Sequence, residues 1–84
     1  MSKHDKYMGL FNYFKSKSIK IIMLNFAEIE KLIGYELPSS AYKHRAFWAN
    51  TRTHLVAFGW LDAGYRTADV DFFNQQVEFR KNTI

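Results

Sequence analysis

Between Tyr42 and His54 the chain places Lys43, His44, Arg45, Asn50, Arg52 and His54 among Tyr42, Phe47 and Trp48, with no acid in the stretch. Lysine and arginine neutralise phosphates, amides and imidazoles hydrogen-bond to base edges, and aromatic faces stack on bases. Cations interleaved with aromatics therefore point to a polyanion with flat faces, a nucleic acid. These six polar residues are the candidate contacts. Lys15, Lys17, Lys20, Arg66, Arg80 and Lys81 are candidates to grip flanking phosphates.

Other chemistries find less support. A metal site wants histidines and carboxylates at helical or hairpin spacing. The three histidines are His4, His44 and His54, and no acid lies between the last two. Nucleophilic catalysis needs a base beside the nucleophile and a third group that orients the base. Ser39, Ser40 and His44 supply two parts at most, and a Ser-Ser pair after Pro38 reads as a helix cap. The glycines at 9, 34, 59 and 64 are scattered, so no phosphate-cradling loop is present. The expectation is a DNA-binding module that is not an enzyme and uses no cofactor or metal, with DNA as its partner.

Charge distribution sharpens the nucleic-acid reading. The 84 residues carry a formal +4. Residues 1–24 hold Lys3, Lys6, Lys15, Lys17 and Lys20 against Asp5; residues 41–54 hold Lys43, Arg45 and Arg52 alone. The acids gather in 25–40, as Glu28, Glu30 and Glu36, and in 55–84, as Asp62, Asp69, Asp71 and Glu78. Clustered basicity is the electrostatic footprint of a nucleic-acid binder, or of a protein drawn to an acidic partner. With no cysteine, disulfides and zinc thiolates are excluded. The longest apolar run, Ile21 to Leu24, is too short to span a bilayer, and the first residues lack the apolar region of a signal peptide. A cytoplasmic protein is expected, with no membrane partner.

One domain is the expectation for residues 1–84, with 1–4 disordered. Its small core is enlarged by 8 Phe, 5 Tyr and 2 Trp. Tyr7, Leu10, Phe11 and Phe14 fall on one face of a helix over 6–16 that Asp5 can cap. Gly9 weakens that helix by about 1 kcal/mol against alanine. Ile19 to Leu24 reads as a strand. Asn25 and Glu28 have capping-box spacing, Leu24 and Ile29 that of a hydrophobic staple, and Gly34 ends the helix whose stripe is Phe26, Ile29, Leu32 and Ile33. Ser39 or Ser40 caps a short turn. Arg45 to Asn50 is open between helix and strand. Thr51 or Thr53 caps a helix over 52–63 with a stripe of Leu55, Phe58 and Leu61, joined by Val56 and Trp60, and Gly64 ends it. Residues 65–73 and 76–81 alternate as two strands around an Asn74-Gln75 turn.

The fold expectation is α+β, with a winged-helix-like order of helix, strand, two helices and a strand pair, and a small antiparallel sheet. Phe47 and Trp48 are read as core beneath exposed cations.

Five segments carry a resemblance: Leu24-Asn25-Phe26-Ala27-Glu28-Ile29-Glu30, Leu37-Pro38-Ser39-Ser40-Ala41-Tyr42, Phe47-Trp48-Ala49-Asn50, Trp60-Leu61-Asp62-Ala63-Gly64 and Val77-Glu78-Phe79-Arg80. Together they resemble a small uncharacterised bacterial and phage domain family with the pattern Phe-x-x-Ile-Glu, Leu-Pro-x-Ser-Ala, Trp-Trp-x-Asn, Trp-x-x-Ala-Gly-Trp and Val-x-Phe. Phe47 and Tyr65 stand where that pattern has tryptophan. The resemblance implies no activity, but its association with mobile elements favours nucleic acid. The rival expectation is a phage or mobile-element inhibitor that docks on a larger host protein, with exposed Tyr42, Phe47 or Trp48 as anchors.

Overall fold

At Asn25 a strand stops and a helix starts with no loop between them. The Asn25 side-chain oxygen accepts from the Glu28 N–H at 2.7 Å, and the Asn25 N–H donates to Glu28 Oε1 at 2.8 Å. This reciprocal box satisfies backbone donors that a helix start otherwise leaves open. The helix ends at Gly34, whose φ of 84° places it in the left-handed region that glycine enters without a Cβ penalty.

A computed structural model describes residues 7–51 and 55–82. The elements are α1 (Met8–Lys15), β1 (Ile21–Asn25), α2 (Phe26–Ile33), α3 (Ser39–Lys43), a 3-10 turn (Arg45–Trp48), α4 (Leu55–Leu61), β2 (Tyr65–Asp71) and β3 (Gln76–Lys81). This is an α+β domain whose order roughly matches the expected one, with three α-helices rather than two between β1 and β2 and a 3-10 turn in the open stretch after His44. The sheet is antiparallel with β3 in the centre, in the order β1-β3-β2.

One face of the sheet carries the core. Ile22 and Leu24 of β1, Val77 and Phe79 of β3, and Tyr65 and Val70 of β2 are all buried. The helices bring aromatics onto that face. Phe14 lies 4.7 Å from Phe79 and 4.9 Å from Tyr65 between ring centroids. A second row runs Phe79, Trp60, Trp48, Phe26, at 5.4, 6.0 and 5.3 Å. Such pairs contribute about 0.5–1.5 kcal/mol each beyond the area they bury. Phe47 and Trp48 are core, as read.

Helix α1 crosses α2 at Gly9, where a Cβ would stand 1.8 Å from the Leu32 carbonyl oxygen. The glycine that weakens α1 locally is what lets the two backbones touch.

Several local expectations are corrected. The strand starts at Ile21, leaving Ile19 exposed. Pro38 holds the N-cap position of α3, and no side chain caps that helix. In α4 the deeply buried residues are Val56, Ala57 and Trp60, while Phe58 and Leu61 are half-buried. Here α4 is sandwiched, with α1 packing against it at Gly59, so its buried surface is wider than one stripe. The hairpin turn takes four residues, 72–75, with Gln75 at a φ of 55°, so Phe72 lies beyond the strand. The expected disorder of residues 1–4 and the caps at Asp5 and Thr53 lie outside the described residues.

Candidate nucleic-acid interface

The strand register collects the residues expected to flank the site. Arg66 of β2 lies directly opposite Arg80 of β3, on the solvent face. One residue on, the Lys81 N–H donates to the Lys20 carbonyl at 2.7 Å, which joins the start of β1 to the end of β3. Tyr65 locks the same end: its hydroxyl donates to the Ile19 carbonyl at 2.6 Å, and the Lys81 ammonium sits 5.9 Å from its ring centre. Lys15 closes α1, and Lys17 follows, its ammonium 4.8 Å from the centre of the Tyr13 ring. Lys15, Lys20, Arg66 and Arg80 are exposed, and Lys17 and Lys81 half-buried. Glu78 accepts from Arg80 Nε at 2.6 Å and neutralises part of the patch. Two arginines opposite each other repel, and such pairs destabilise a sheet. Burial pushes the Tyr65 phenol up from its ordinary range, with the Tyr13 phenol adding to the shift.

Four of the six residues expected at the centre of the site are described. Lys43 and His44 are exposed where α3 meets the 3-10 turn. Arg45 reaches towards β2: its Nη1 is 3.9 Å from Asp69 Oδ1, and its guanidinium lies 5.4 Å from the centre of the Phe72 ring. Both charged side chains are largely exposed, so this pair is weak and can be exchanged for another anion. It sits roughly 10 Å along β2 from Arg66, at about 3.3 Å per residue. A cleft of ≈ 330 Å³ opens there, lined by Arg45, Ala46, Trp48, Ala49 and the Thr67–Val70 segment of β2. Arg52 and His54 lie outside the described residues.

Asn50 has a different role from the base contact expected of it. Its Nδ2 donates to the Thr67 carbonyl at 2.9 Å, and its Oδ1 accepts from the Thr67 N–H at 2.7 Å. The same Oδ1 accepts from Trp60 Nε1 at 3.1 Å and Thr67 Oγ1 at 3.0 Å. The amide thus stands in for a neighbouring strand on the outer edge of β2. These bonds commit the amide oxygen and one of the two Nδ2 hydrogens to the fold.

Glu30 of α2 organises the loop before the cationic segment. Its Oε2 accepts from the Leu37 N–H at 2.8 Å and from the Tyr42 hydroxyl at 2.9 Å. That hydrogen bond, with burial and the nearby charges of Glu30 and Glu36, raises the Tyr42 phenol above its ordinary range. No local sequence signal marks either role, since the partners are 7 to 17 residues away.

Among the described residues no group of three or more His, Asp or Glu side chains could hold a metal ion. No helix among them is long and apolar enough to cross a membrane. No curated protein and no solved structure matches the chain. A family model does match, over residues 7–82, from the residue that opens α1 to the one that follows β3. That span takes in the whole described fold, and the chain belongs to the family described as a domain of unknown function, DUF7662.

Proposed function

We propose that the domain binds nucleic acid, as a non-catalytic module, through the basic end of its sheet. Arg66, Arg80, Lys81 and Lys20 form the grip, Lys15 and Lys17 extend it, and Lys43, His44 and Arg45 make a second contact further along β2. The observation that supports this most is Arg66 opposite Arg80 on the solvent face. The fold gains nothing from that repulsion, whereas a phosphate backbone turns it into attraction. Winged-helix order does not imply groove insertion here. Helix α4 is Leu-Val-Ala-Phe-Gly-Trp-Leu, with no charged residue, and it packs against α1. The contact proposed is electrostatic and made by strands and helix ends.

Fluorescence anisotropy with duplex and single-stranded oligonucleotides at two salt concentrations tests the reading. The Arg66→Ala/Arg80→Ala/Lys81→Ala variant loses most of the affinity. Its salt slope falls by about 0.9 per duplex phosphate contact removed. Lys43→Ala/Arg45→Ala has a smaller effect. No binding at low salt, or equal binding by the triple variant, refutes the proposal.

The rival, a phage or mobile-element factor docking on a host protein, loses its proposed anchors, because Phe47 and Trp48 are buried and Tyr42 is tied to Glu30. Phe73, 94% exposed at the hairpin tip, is the most exposed aromatic among the described residues and would serve it. A lysate partner retained after nuclease treatment and lost in Phe73→Ala favours the rival.

A further inference from the structure

The two outer edges of the sheet are treated differently. The β2 edge is defended three times. Asn50 occupies both backbone groups of Thr67, the register breaks between Thr67 and Asp69, and Asp69 and Asp71 put charge on the strand. Amide caps, bulges and charges are the usual means of stopping an edge from pairing. The β1 edge has none of them between Ile21 and Leu24, where the sequence is Ile-Ile-Met-Leu.

Hydrogen bonds at both ends of β1 fix which groups face outward. The Lys20 carbonyl accepts from β3, and the Phe26 N–H donates to Gln75. Backbone direction alternates along an antiparallel ladder. Residues 20, 22, 24 and 26 therefore bond towards β3, and Ile21, Met23 and Asn25 point their backbone groups away. Asn25 confirms this, because its N–H leaves the sheet to meet Glu28. Ile21 and Met23 then present N–H and C=O groups on an outer edge that no described strand covers. Their side chains, 51% and 52% exposed, continue a strip that begins at Ile19, 56% exposed. A cleft of ≈ 260 Å³ lined by Tyr13, Leu24, Glu28, Lys31 and Leu32 opens beside this edge, between α1 and α2.

We propose that β1 pairs with β1 of a second copy of this chain, antiparallel about a two-fold axis at Ile22, to make a continuous six-stranded sheet. The edge is self-complementary. In this register Ile21 faces Met23 of the second copy, and each such pair exchanges two backbone hydrogen bonds. The exposed apolar strips meet on the solvent face. Lys20 falls opposite Leu24 of the second copy, so the pairing sets no cation against another. The strand interior carries no charge that would reject its own image.

The test needs no nucleic acid, so it stands or falls separately from the proposed function. Light scattering after gel filtration, over about a hundredfold range of concentration, should show the mass rising from 10.0 kDa towards twice that value. Met23→Lys, a charge on the edge strand, should hold the mass at the monomer value. The register is read by disulfides, which is clean because the protein has no cysteine of its own. A hydrogen-bonded antiparallel pair has Cα atoms about 5.5 Å apart, inside the disulfide range of about 4.4–6.8 Å. Ile21→Cys mixed with Met23→Cys should cross-link on mild oxidation. Either variant alone should do so far less, since identical residues then sit diagonally. Phe73→Cys measures collisional cross-linking, and circular dichroism checks that each variant is folded. A monomer at every concentration, or mixed cross-linking no faster than the Phe73→Cys control, overturns the proposal.

Discussion

Replacing Asn50 by alanine removes a side chain that is partly solvent-exposed, where substitution ordinarily costs little. The structure requires a large effect. Four hydrogen bonds are lost, to the Thr67 N–H, C=O and Oγ1 and to Trp60 Nε1. Trp60 is fully buried, and its indole N–H loses its partner, a penalty of about 1–3 kcal/mol for an unsatisfied donor. Thr67 is half-buried, and water replaces part of what it loses; its bonds add about 1 kcal/mol. The sum is about 2–4 kcal/mol. For a domain of this size that lowers Tm by roughly 8–32 °C, at about 4–8 °C per kcal/mol. Urea denaturation followed by fluorescence of Trp48 and Trp60 measures it. The midpoint should fall with the slope unchanged, since the surface exposed on unfolding is the same. Asn50→Asp should also destabilise, because it sets a carboxylate against the Thr67 carbonyl. If Asn50→Ala unfolds within about 0.5 kcal/mol of the parent, the range of ordinary surface substitutions, the edge-capping role is wrong.

Gly9→Ala should destabilise despite the better helix propensity of alanine, because the clash at Leu32 is with backbone; the net loss is about 1–3 kcal/mol by the same denaturation. Gly59→Ala should cost less, since its Cβ meets a side chain, Leu10 Cδ2 at 2.9 Å, rather than backbone. Asn25→Ala should lose about 1 kcal/mol with the capping box, and its hydrogen exchange should quicken at the start of α2. Alkaline pH should unfold the domain in step with phenol ionisation. Tyr35 and Tyr65 are raised first by burial, and Tyr42 first by its bond to Glu30, so the folded state holds these protons more tightly than the unfolded chain. Their stabilisation is complete below about pH 10 and is lost as pH rises through the raised values. Ultraviolet absorbance of the phenolate and circular dichroism should change together; full ionisation of all tyrosines at pH 10 with the fold intact would contradict this.

What the sequence determined by itself is local. The Asn25 box, the Gly34 stop and the strands around residues 70 and 77 were readable because their interactions span four residues or fewer, or repeat with a fixed period. The aromatic core was readable because so small a domain must bury its large side chains. What only the tertiary structure decided depends on register. Chain order sets Arg66 and Arg80 far apart; the β2–β3 ladder puts them face to face. It ties Lys20 to Lys81 and sends Arg45 to Asp69. Cation clustering along the chain pointed to residues 43–54; the sheet gathers a further group, Arg66, Arg80, Lys81 and Lys20, at one end. Asn50 shows the same limit. Nothing within a helical turn of it reveals a partner at Thr67, 17 residues away. An amide can serve a ligand or a strand edge equally well, and only the packing of the 3-10 turn against β2 selects the edge.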